Sequence, residues 1–181
     1  MEPGSNSPFA AATLEHIDAL YGYAMTLTRD KTEAEDLVQE TYLKAVRAAN
    51  QPEPEENLKA WLFVIMRNSW LNIIRHKQHG LRVFECEGDE PSSGAAADAT
   101  SNPHVVYLRK LEQAEVREAI EKLPDAYREI VVLRDIEGFS YHEIATVLNC
   151  PAGTVMSRLG RARAKLRETL SERQKVHRLH G

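Results

Sequence analysis

The chain has little of what builds disulfide-stapled, membrane-spanning or metal-dependent proteins. Its 181 residues hold two cysteines, Cys86 and Cys150, far apart in sequence, so no disulfide framework is indicated and both thiols are expected to be reduced. No apolar run approaches the roughly 20 residues needed to cross a bilayer, and the opening MEPGSNSPFA lacks a basic segment followed by an apolar stretch. A cytoplasmic protein without direct membrane insertion is the expectation. There is no Gly-rich phosphate loop and no nucleophile paired with a base, and His76, His79 and Cys86 are spaced like no familiar zinc site. Neither enzyme, nor metal, nor cofactor is expected. Strand-type alternation is nearly absent, which leaves an all-α chain.

What is present is concentrated in FSYHEIATVLNCPAGTVMSRLGRARAKL, Phe139–Leu166. Ser140 followed by Glu143 is a capping-box signature for a helix carrying Ile144, Val147 and Leu148. Gly138 ends the helix before it. Asn149 suits the left-handed conformation that stops the new helix, and Pro151 suits the first turn of the next. In that next helix Val155, Leu159, Ala162 and Leu166 recur on one face, which leaves Ser157, Arg158, Arg161, Arg163 and Lys165 largely outside it. From Arg158 to Arg178 there are eight Lys/Arg against two Asp/Glu, in a chain whose net charge is −4. A local charge so opposed to the global one marks a helix-turn-helix that meets nucleic acid.

Residues 80–104 include GDEPSSGAAADATSNP, rich in Gly, Ser, Ala, Asp and Pro and without an apolar stripe. They predict a linker between two small helical domains, at 9–79 and 105–175. As a flexible coil such a linker spans about 25–30 Å, close to one turn of DNA, and up to roughly 80 Å if stretched.

The N-terminal half predicts amphipathic helices. Leu14, Ile17, Leu20, Tyr21, Ala24 and Leu27 form one stripe, and Ala34, Leu37, Val38, Thr41, Ala45 and Val46 form a second. The outer face of the second carries Glu35, Asp36, Gln39, Glu40 and Lys44. After QPEPEEN, a long helix holds Trp61, Phe63 and Trp70. Between Asn57 and Val83 there are five basic residues and no acidic one. Basic charge among aromatics fits contact with single-stranded nucleic acid, although both tryptophans also fit as core anchors. Asn68, Asn72 and Arg75 share a polar helix face, whereas Trp61 heads the opposing stripe with Ile65 and Leu71.

These segments, in this order, resemble a bacterial RNA polymerase sigma factor of the extracytoplasmic-function group of the sigma-70 family. DLVQETYLKA, Asp36–Ala45, is similar to the polymerase-binding helix of the family's second conserved region, and AWLFVIMRNSWLNIIR, Ala60–Arg75, to its promoter-melting helix. Leu123–Glu168 resembles the fourth region. The resemblance implies a region-2 bundle and a region-4 helix-turn-helix, with core RNA polymerase (its β′ and β subunits), promoter DNA and an anti-sigma factor as partners. It places polymerase binding on Asp36, Gln39 and Glu40, with their face against a coiled coil of the largest subunit. Minus-ten contact falls to Arg67, Asn68, Trp70, Asn72 and Arg75, and minus-thirty-five contact to Thr154, Ser157, Arg158, Arg161 and Arg163. The loop Gln51–Asn57 lies where the family captures a flipped minus-ten base. Pro151, Met156 and Gly160 replace the hydroxyl, lysine and histidine common in the family. A helix-turn-helix regulator acting without polymerase would explain Phe139–Leu166 but leaves the DLVQET helix and the Trp-bearing basic helix without a role.

Overall fold

The computed structural model describes residues 12–48, 57–81 and 114–179, with side chains to 77 and 171 in the second and third stretches. Nearly all of the expected linker, and the QPEPEE part of the expected base-capturing loop, lie outside the described residues. Every described element is helical, as the lack of strand alternation predicts.

Helix α1, Ile17–Thr28, ends where Arg29 adopts φ 58° and returns its N–H to the Met25 carbonyl. Asp30 then accepts from the Glu33 N–H at 2.8 Å and opens α2, Lys31–Ala48. Asn57 opens α3, Leu58–Leu81, by accepting the Ala60 N–H at 3.0 Å on its side chain. The three helices bury Leu20, Tyr23 and Ala24 against Ala34, Leu37, Val38 and Ala45, and against Leu62, Phe63 and Met66. Two expected stripes are displaced. Leu14 and Ile17 are exposed on either side of a break in the helix at residues 15–16, and Val46 is exposed near the end of α2. The position that replaces them is Tyr23, fully enclosed and absent from the sequence stripe.

Among the described residues, the C-terminal half begins with helix α4, residues 114–121, and then α5, Asp125–Val131. The chain goes on into a wide turn, Val132–Ile136, where the Glu137 N–H reaches back five residues to the Val132 carbonyl. Gly138, at φ 77°, takes the left-handed corner that a side chain would strain, and α6, Tyr141–Leu148, and α7, Ala152–Leu179, follow.

The sequence predicts two separate modest cores, but the buried faces of the two helical clusters meet and form one. α5 and the wide turn pack on α1, and α6 packs on α3. Phe63 is the junction: it stacks on Tyr23 at 4.7 Å between ring centroids and makes a T-shaped contact with Phe139 at 4.9 Å and 77°.

Candidate polymerase and nucleic-acid interfaces

The turn between α6 and α7 is built by its capping residues. Ser140 Oγ accepts the Glu143 N–H at 3.2 Å while the Glu143 carboxylate accepts the Ser140 N–H at 2.6 Å. This is a complete capping box, and the bonds from Ser140 hold the Glu143 carboxyl below the usual glutamate range. Asn149, at φ 48°, then stops α6 in the left-handed conformation. Pro151 stands just ahead of α7, with its carbonyl accepting the N–H groups of Thr154 and Val155 at 2.9 and 3.2 Å.

On α7, Val155, Leu159 and Ala162 are buried and Leu166 is half-buried, so the predicted stripe faces the core. Ser157, Arg161 and Arg163 are exposed, and Thr154 and Arg158 are half-buried at its edge. Ser157 Oγ donates to the Thr154 carbonyl at 3.1 Å, which leaves its lone pairs outward. Arg163 is held by Asp135 of the wide turn, with Nε donating at 3.2 Å and Nη2 pairing with the other carboxylate oxygen. That bond from Asp135 raises the Arg163 pKa further.

On α2, Asp36 and Gln39 are exposed and Glu40 is half-buried. Glu40 pairs with Lys44 at 2.5 Å, and Lys44 also donates to Ser69 of α3 at 2.9 Å. The acidic and amide face is therefore presented on a helix anchored from behind.

On α3, Asn68, Asn72 and Arg75 form an exposed strip, with Arg75 donating to Asn72 at 2.9 Å. Trp70 sits at its flank, partly buried against the core, with the Lys77 ammonium 6.0 Å from its ring centroid. Trp61 is likewise partly buried and packed on the core. Arg67 is not on the strip. Its Nε donates to Glu129 of α5 at 2.9 Å, on the same carboxylate oxygen that accepts the Tyr23 hydroxyl at 2.7 Å. Burial first, and the Glu129 charge second, push the Tyr23 pKa well up, so the phenol remains a donor.

A second cross-half pair joins Lys59 to the Glu137 carboxylate at 2.8 Å and to its carbonyl at 3.0 Å, with the ammonium 5.1 Å from the Phe139 ring centroid. Asn57 bonds the Glu143 carboxylate from across the same boundary. None of Tyr23, Lys59, Glu129 or Glu137 stands out in the sequence as a partner of the others. The available signal is the row of cations on α3 without a single nearby acid.

The metal set considered above cannot be assembled here: of His76, His79 and Cys86 only His76 has a described side chain, and it is exposed. Among the described residues no group of three metal-ligating side chains converges.

A helical cluster with an acidic, amide-rich face, packed on a second cluster that ends in a capped helix-turn-helix, defines a helical DNA-binding transcription protein. Comparison sharpens the class. Residues 14–80 match the family described as sigma-70 region 2, and residues 113–166 match sigma-70 region 4. The chain is 35% identical over 153 residues to the ECF RNA polymerase sigma factor EcfG of Rhodopseudomonas palustris, covering 84% of this chain and 80% of that one. It is 33% identical over 165 residues to the sigma factor CnrH of Cupriavidus metallidurans, covering 90% and 86%. The solved complex of the sigma factor RpoE with the anti-sigma factor NepR from Bartonella quintana matches with a TM-score of 0.73 at 31% identity, over 90% of this chain and 96% of that one. The structure of CnrH with the cytosolic domain of CnrY matches with a TM-score of 0.61 at 29% identity, over 93% and 91%. The chain belongs to the extracytoplasmic-function sigma factors of the sigma-70 family. As such it binds core RNA polymerase and directs transcription, with no catalytic chemistry of its own.

The unqualified expectation of a cytoplasmic protein is corrected by the same comparison. CnrH is held by the cytosolic domain of CnrY, and members of this group are typically tied to a membrane through their anti-sigma factors. Among the described residues, no helix is long and apolar enough to cross a membrane.

Proposed function

We propose that this sigma factor meets the polymerase β′ subunit through Asp36, Gln39 and Glu40. Minus-ten DNA is opened on the α3 surface of Asn68, Trp70, Asn72 and Arg75, joined by Arg67. The minus-thirty-five duplex is read with Thr154, Ser157, Arg158, Arg161 and Arg163. The proposed domain limits are 9–79 and 105–175, with 80–104 between them. The observation that carries this reading is the coexistence on one chain of a capped helix-turn-helix with an exposed arginine face and a separate helix presenting Asp36 and Gln39 to solvent. A regulator that works without polymerase needs only the first.

An anti-sigma factor is the proposed regulator, since RpoE was solved with the anti-sigma factor NepR and CnrH with the cytosolic domain of CnrY. Run-off transcription with purified core polymerase tests the whole reading: the wild-type chain is expected to support it from promoter templates. Asp36→Lys with Glu40→Lys should lose co-purification with core while keeping its helical circular dichroism. Retained binding by that variant would remove the β′ assignment.

A further inference from the structure

The two flanks of α7 differ in chemistry. At about 100° per residue, Arg158, Arg161 and Lys165 fall on one side of the buried Val155–Leu159–Ala162 stripe, and Met156, Gly160 and Arg163 fall on the other. The first flank is cationic. On the second, the cation is held by the protein itself, because Arg163 is paired with Asp135, with Nε donating at 3.2 Å. What this flank offers outward is Met156, a large apolar side chain that is 53% exposed. Gly160, the next position on the flank, has open space where a Cβ would stand, so no side chain there covers the thioether.

Position along the helix matters as much as the flank. α7 starts at Ala152, which puts Met156 just beyond its first turn. The N-terminal residues of the second helix of a helix-turn-helix are the ones that meet base edges in the major groove. Arg163 stands about 10 Å farther along the axis. A thioether offers a phosphate nothing. Its complement in the major groove is the apolar group that base edges carry there, the 5-methyl of thymine.

We propose that Met156 is a specificity-determining residue of α7 and reads a thymine 5-methyl group in the minus-thirty-five duplex. The inference rests on the minus-thirty-five reading of α7 and adds a base preference to it. The lysine common at this position in the family would answer a phosphate whatever the sequence, whereas Met156 makes a contact that depends on the base. No counterion is released by such a contact, so its share of binding does not vary with salt.

The test uses the full chain bound to core polymerase. A pool of duplexes with randomised upstream sequence is enriched by the wild-type complex, and each thymine of the enriched element, on either strand, is then replaced in turn by deoxyuridine. That change removes the methyl group and keeps the pairing. At one position or two adjacent ones it should weaken wild-type binding about fourfold, the equivalent of one buried methyl group. Met156→Ala, at an exposed helical position, should bind the thymine and deoxyuridine duplexes equally, both as weakly as wild type binds the deoxyuridine one. The difference between wild type and Met156→Ala should be the same at about 50 and 200 mM salt. An enriched element without thymine, no deoxyuridine effect in wild type, or an equal effect in Met156→Ala would overturn the proposal. So would a salt slope lowered by about 0.9 in Met156→Ala, which would place the residue on a phosphate. If the wild-type complex enriches no upstream element at all, the minus-thirty-five reading itself fails and the methyl contact falls with it.

Discussion

Phe139 and Phe63 meet edge to face at the point where the two helical clusters share their core. Phe139 is 3% exposed, and Phe63 is wholly enclosed between it and Tyr23. Phe139→Ala leaves a cavity on both sides of that boundary. It is expected to cost about 3–5 kcal/mol, the range for a buried Phe→Ala change. Urea denaturation followed by far-ultraviolet circular dichroism measures it. A loss below 1 kcal/mol would mean that the two clusters do not depend on this contact.

Ser140→Ala removes the side-chain half of the capping box and should cost about 1 kcal/mol. It should also change how stability depends on pH. The folded Glu143 carboxyl is held low by Ser140, so its contribution is complete above the unfolded glutamate value of about 4.3. It is lost as pH falls through the lower folded value. In Ser140→Ala the loss of stability on acidification between about pH 5 and 3 should therefore be shallower than in wild type. Urea midpoints across that range decide it, and parallel curves would refute the link.

Arg158, Arg161 and Arg163 separate by their salt response. Replacing a phosphate-contacting arginine with alanine should lower the salt slope of upstream-element binding by about one unit. Replacing a base-reading one should cost about 1–3 kcal/mol on its preferred site alone. Arg163 must first leave Asp135, so Asp135→Asn is expected to tighten duplex binding. Unchanged affinity in all three alanine variants would show that α7 is oriented differently on DNA.

Asn68→Ala with Asn72→Ala should leave polymerase binding and closed-complex formation intact and suppress strand opening. Permanganate reactivity of unpaired thymines follows the opening, and a premelted bubble template should restore much of the transcription. A double variant that opens duplex promoters like wild type would return this face to a structural role.

The helix-turn-helix is legible because its signals are local. Ser140 with Glu143, Gly138 and Asn149 each set the backbone at or beside their own position, and the structure has all of them in the expected conformations. The exposed strip of Asn68, Asn72 and Arg75 follows from helical spacing in the same way. What stays hidden depends on distance along the chain. Tyr23 and Glu129 are 106 residues apart, and no periodicity in either helix announces that they meet. Arg67 carries the same lesson: its charge and helix are plain in the sequence, whereas its orientation depends on an acid 62 residues away. Leu14 and Ile17 fit a stripe by spacing, yet the helix is broken at residues 15–16 between them and both are exposed.

The wide turn at Val132–Ile136 has a consequence for how the chain tolerates changes of length. Its bond from Glu137 to Val132 accommodates one residue more than ordinary helical winding. Inserting a further residue there, beyond the one the widened turn absorbs, would swing everything downstream by about 100°, one residue's share of a helical turn. Phe139 would leave Phe63, Glu137 would leave Lys59, and α7 would point its arginines in a new direction. The turn acts as a phase setting between the halves, so an added residue in these five positions is expected to be tolerated as poorly as the loss of a core side chain.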